Sequence, residues 1–137
     1  MSEQNISEQT REHYESRIED IKKLWALYRE GNEEADEDLG RWEEYGLCFD
    51  YVPAGTFNDQ DFGYWRYQLS WGGGQEEFRF YADSDFKPYT IEFWYLDWGT
   101  GAHVHPTGSD LELLREIWAD WCECELPQSV KAQAVEA

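Results

Sequence analysis

Two histidines stand one residue apart at His103-Val104-His105, and two cysteines do the same at Cys122-Glu123-Cys124. Successive side chains of an extended chain alternate, so both imidazoles would face one way and could share a metal ion. The spacing departs from the usual zinc pattern, in which paired ligands sit roughly two to four residues apart. A helical Cys-x-Cys sends its thiols to different faces, and His13 is far off in the sequence. These residues read as loop histidines and packed cysteines, with no metal and no cofactor expected.

Carboxylate pairs are so abundant that any two could be fitted to a glycosidase scheme, and the abundance empties the match of meaning. No Gly-x-Ser-x-Gly, His-Glu-x-x-His or phosphate-binding glycine loop occurs, and Gly72-Gly73-Gly74 joins two strands rather than opening a helix. The chain is not expected to be an enzyme. Tyr64, Tyr81, Trp94 and Trp98, with Arg66, Arg79, Glu77 and Glu92, could line a sheet face that binds sugar or cages a methylated cation. Against this, aromatics at strand spacing are usually core, and Arg–Glu neighbours across strands are ordinary surface pairs.

Charge is the stronger signal. There are 30 Asp and Glu against 11 Lys and Arg in 137 residues, a net of −19. This lies well outside the magnitude of about 2 to 8 suited to a small soluble domain. The acids are clustered, whereas adaptation to high salt would spread them evenly. Residues 33–44 carry Glu33, Glu34, Asp36, Glu37, Asp38, Glu43 and Glu44 around a single arginine. A second group, Glu112, Glu116, Asp120 and Glu123, repeats at spacings of four and three, one stripe on a helix. Were 33–44 helical, it would span about 18 Å with a carboxylate every ~2.6 Å. Duplex DNA carries one charge per ~1.7 Å and a single strand one per ~3.4 Å. Such a surface favours basic protein partners and repels nucleic acid and anionic membranes.

The elements that must position these groups follow from periodicity. Tyr14, Ile18, Ile21, Trp25 and Tyr28 mark an amphipathic helix over 7–30, stopped at Gly31-Asn32. A shorter helix is expected from about Asp36 to Tyr45, with Leu39 and Trp42 inward, Gly40 as a weak point and Gly46 as its end. The period then changes to two. Strands are expected at 47–52, 64–71, 76–82 and 89–98, with Trp65, Tyr67, Leu69 and Trp71 on one face of the second. Connections this short give an antiparallel meander. A loop over 99–108 leads to a capping box at Ser109-Asp110-Leu111-Glu112 and a last helix to about Glu125, stopped by Pro127. Its inner face is Leu111, Leu114, Trp118 and Trp121.

The expected fold is α+β: an antiparallel four-stranded meander with N- and C-terminal helices packed on it. It forms one domain over 1–126 and a mobile tail over 127–137. The aromatic residues, 18% of the chain, supply the core that the low hydropathy would otherwise deny. An odd cysteine count fits a reducing compartment, the N-terminus shows no signal-peptide pattern, and no apolar run could span a membrane. A cytoplasmic protein is expected.

Size, acidity and aromatic richness resemble the small anti-CRISPR and anti-restriction proteins of phages and mobile elements, several of which imitate nucleic acid. The segment YWRYQLSWGGGQEEFRFYADSDFKPYTIEFWYLDW is similar to small mobile-element proteins. The resemblance implies a fold and carries over no functional residue. The expected function is a non-enzymatic inhibitor whose two acidic groups pair with the Arg and Lys of a basic nucleic-acid-binding protein, such as a CRISPR or restriction complex. It would act in the host cytoplasm without touching nucleic acid itself. The alternative is an aromatic-faced domain binding a sugar or cation. A homodimer contact is expected at the aromatic or strand-edge surface.

Overall fold

The computed structural model describes residues 5–31, 36, 38–57, 59–71 and 74–136. Helix α1 (Ile6–Arg29) opens at Asn5, whose side chain accepts a hydrogen bond from the Glu8 amide, and closes through Glu30 into Gly31 at φ +72°. Its buried face is Thr10, Tyr14, Ile18, Ile21, Leu24 and Trp25. Helix α2 (Trp42–Tyr45) is a single turn. Five strands follow: β1 (Cys48–Val52), β2 (Tyr64–Ser70), β3 (Gln75–Ala82), β4 (Pro88–Asp97) and β5 (Thr100–Val104). They form one antiparallel sheet in chain order. Helices α3 (Gly108–Glu123) and α4 (Leu126–Glu136) complete an α+β fold with helices at both ends. Among the described residues no helix is long and apolar enough to cross a membrane.

The core lies between the helices and one face of the sheet. Trp65, Phe78, Phe80, Phe93, Leu114, Ile117 and Trp118 are fully buried there, with Phe80 stacked on Trp118 at 5.3 Å. Such ring pairs add about 0.5–1.5 kcal/mol each beyond the area they bury. Glu76 ties α1 to β3: Arg17 grips its carboxylate at 2.8 and 3.1 Å, and His13 meets it at 3.0 Å.

Several expectations are corrected. The sheet has five strands, because 100–104 pairs with β4 where a loop was expected. Residues 36–45 do not form one helix. Asp36 bridges Gly40, which sits at φ +81°, and the Asp36 carboxylate takes the Asp38 and Leu39 amides, so helical bonding starts only at Trp42. Leu39 and Trp42 still point inward. Helix α3 starts at Gly108 with Thr107 as its cap, one turn-fraction ahead of the expected Ser109 box. Trp71 does not join the core: a bulge between Gln68 and Ser70 reverses the alternation. Ser70 thereby faces the helices and bonds Glu76, while Trp71 is 64% exposed and donates to Gln68 on the other face. The stretch after Pro127 is helix α4 rather than a mobile tail, since proline is tolerated in a helix's first turn.

Candidate functional site

The sheet face turned away from the helices gathers the aromatic and charged residues that alternation singles out. Asp50, Arg66, Arg79 and Glu92 stand opposite one another on four neighbouring strands. Arg66 binds Asp50 through two bonds, at 2.6 and 3.0 Å. Arg79 holds Glu77 at 2.7 Å and lies between the rings of Tyr64 and Trp94, 4.8 and 4.2 Å from their centroids. Although no helix among the described residues covers it, Glu77 is 0% exposed, sealed by its own neighbours. The cation seat that Tyr64 and Trp94 could offer a ligand is therefore filled by the chain's own guanidinium. Trp98, on the β4–β5 turn, lines a separate hollow together with Trp94.

At the edge of this face β4 and β5 bring Glu92, His103 and His105 together, the one such group of three candidate metal ligands among the described residues. The two histidines were legible in the sequence; Glu92 was not, because only the β4–β5 register brings it to them. Cys122 and Cys124 are not part of the group. Burial pushes the Cys122 thiol up, so it is not poised as a thiolate.

The acidic residues divide by role. Glu33, Glu34 and Glu37 lie outside the described residues. Asp36 is structural: Lys23 at 2.9 Å and the Asp38 and Leu39 amides hold its carboxyl below the usual range. Asp38, Glu43 and Glu44 are exposed. On α3, Glu112, Glu116 and Glu123 are exposed in one stripe, about 6 Å apart along the axis for each step of four. Arg29 reaches Glu116 at 3.7 Å. Asp120 leans inward and accepts from the Tyr28 hydroxyl at 3.3 Å. Glu43, Glu44, Glu112 and Glu123 make no ion pair with any described residue.

One hollow of about 510 Å³ joins the two acidic groups, with Glu43 of α2 and Asp120 of α3 both in its lining. Tyr28, Trp42, Phe49, Tyr67 and Trp121 furnish its aromatic lining. Trp42 stacks parallel to Trp121 at 6.4 Å, and Phe49 lies 4.7 Å from Trp121. Gly46 permits this floor, since a Cβ there would come within 2.1 Å of the Tyr67 ring. Burial, then the charge of Asp120, pushes the Tyr28 phenol up, so it stays neutral and donates to the carboxylate. Tyr28 and Trp121 escape a sequence reading as site residues because their periodicity marks them only as inward-facing.

A hollow lined by aromatic rings and carboxylates together attracts a guanidinium or ammonium by charge and by ring quadrupole. No protein-family model, curated protein or solved structure matches the chain.

Proposed function

We propose that this protein is a non-enzymatic inhibitor that binds a basic, nucleic-acid-handling protein of a bacterial defence system, of CRISPR or restriction type. One observation carries the reading. Glu43 and Asp120, from acidic groups far apart in sequence, line a single hollow together with five aromatic rings. An arginine or lysine that otherwise holds a phosphate would enter between them, and the α3 stripe would engage further cations alongside. The phosphate-like spacing drawn from a helical 33–44 no longer supports the reading, because Asp36 bridges Gly40 and helical bonding starts only at Trp42. What supports it is an acidic face built from α2 and α3, in a field of −19 that draws basic partners and repels nucleic acid.

The test is capture from bacterial lysate followed by competition with DNA for the captured protein. The expected catch is a nucleic-acid-binding protein that releases DNA when this protein is added. Two charge-reversal pairs, Glu43→Lys with Glu44→Lys and Glu116→Lys with Asp120→Lys, should each abolish capture. Asp61→Lys with Asp85→Lys, at the opposite end of the sheet, changes net charge equally and should leave capture intact. Equal losses in all three would reduce the acidity to a general field and overturn the proposal.

A further inference from the structure

We infer that Glu92, His103 and His105 form a binding site for one divalent transition-metal ion of the zinc class. The inference stands apart from the acidic face and uses none of its residues. His103 and His105 are two apart at the end of edge strand β5, so alternation sends both rings to the outer face. The pairing of Trp94 with His103 and of Phe93 with Val104 puts Glu92 diagonally across from the first histidine and beside the second.

The carboxylate is already divided between support and ligation. Its Oε1 accepts from the Trp94 indole Nε1 at 2.9 Å. Its Oε2 faces both imidazoles, 3.8 Å from His103 Nε2 and 3.2 Å from His105 Nε2. Trp94 also stacks on His103 at 4.6 Å with the planes 23° apart, and His105 meets His103 edge-on at 4.9 Å. One tryptophan thus orients two of the three ligands, the role outer residues play around metal ions. Arg79, the nearest guanidinium on this face, is engaged by Glu77.

The three ligand atoms lie within 4.8 Å of one another. Around tetrahedral zinc, with bonds of about 2.0–2.1 Å, neighbouring ligand atoms stand about 3.3 Å apart. The Glu92–His105 distance already fits, and the histidine side chains, 37% and 57% exposed, have room to close the rest. Two imidazoles and one carboxylate suit zinc and its first-row neighbours rather than calcium or magnesium, which take oxygen ligands. Three protein ligands leave a coordination position towards solvent for water.

The experiment is calorimetric titration of the metal-stripped protein with Zn²⁺ alone, with Co²⁺ absorption as the spectroscopic counterpart. Saturable binding of one equivalent and visible Co²⁺ bands are expected. His103→Ala with His105→Ala should abolish both signals. His105→Ala alone and Glu92→Gln should each weaken binding at least ~10-fold, and Trp94→Phe, which keeps a stacked ring but removes the indole N–H, by about 10-fold. Replacing Cys48, Cys122 and Cys124 with serine should leave binding unchanged. Circular dichroism without metal checks each fold; should the double variant unfold, the exposed His105→Ala decides. Wild type without saturable binding, histidine variants that bind like wild type, or loss of binding in the serine variant would each overturn the site.

Discussion

Trp98 is the residue most at odds with its position. It is 91% exposed and holds φ at +48° in the two-residue turn with Gly99, between the paired Asp97 and Thr100. Turns with positive φ at both central residues favour Asn-Gly, because a bulky L-residue there costs roughly 1–2 kcal/mol. Trp98→Asn is therefore expected to stabilise the protein by about 1 kcal/mol in urea unfolding followed by far-UV circular dichroism. An unchanged or lowered midpoint would mean that the ring earns its place through contacts in the folded chain. At this scale the sequence was readable where chemistry is local. His103 and His105 declare their shared face by alternation, whereas Glu92 becomes their neighbour only through register. Trp71 was misread because a bulge, which has no signature in YWRYQLSW, turned it over.

Elements were legible when their period was long and unbroken. α1 and four strands stand where periodicity puts them. β5 was not seen because Thr-Gly-Ala-His-Val is glycine-weakened and only Val104 is buried, as suits an edge strand. α4 was hidden by Pro127, which marks a helix stop as readily as a helix start. The helix is anchored rather than appended. The Trp65 indole Nε1 donates to the Pro127 carbonyl at 2.9 Å in the core, Val130 packs on the cluster, and Lys131 lies over Tyr51, Trp65 and Phe86. Truncation after Glu125 should lose about 1–3 kcal/mol from the orphaned indole N–H alone. Removal of the apolar cover adds to this, and tryptophan emission should shift to the red. A truncated chain with the same urea midpoint and emission would show α4 to be dispensable.

For the whole molecule, two opposed electrostatic effects set the response to pH. Burial alone would raise Glu76, but hydrogen bonds from Arg17 and His13 outweigh it and hold the carboxyl below its usual range. At Asp110 burial is likewise outweighed by Lys22 at 2.7 Å and the Tyr14 hydroxyl at 2.6 Å. A carboxyl whose folded pKa is depressed contributes stability above its unfolded pKa, about 4, and loses it as pH falls through the folded value. Self-repulsion at −19 acts the other way and eases as acids protonate towards the pI of about 4.3. Stability should thus peak on the acid side of neutrality, at about pH 5–6, and fall steeply below about pH 4. Glu76→Gln should cost roughly 2–3 kcal/mol at pH 7, below the full penalty for a broken buried pair because Arg17 keeps some solvent, and should flatten the acid limb. Urea midpoints measured from pH 3 to pH 8 check both, and an acid limb unchanged by the substitution would remove Glu76 from the account.

The strict chain order of the sheet also has a consequence for how the polypeptide is made. Each strand pairs with the one synthesised just before it, so the meander can assemble hairpin by hairpin with little loop closure. Helix α1 is the exception. It packs chiefly on β5 and β4, strands translated long after it, and its polar ties reach to Glu76 and Asp110. During synthesis Ile18, Ile21, Leu24 and Trp25 emerge with no sheet to cover them, and the helix can gain its full cover only once β4 and β5 have been made.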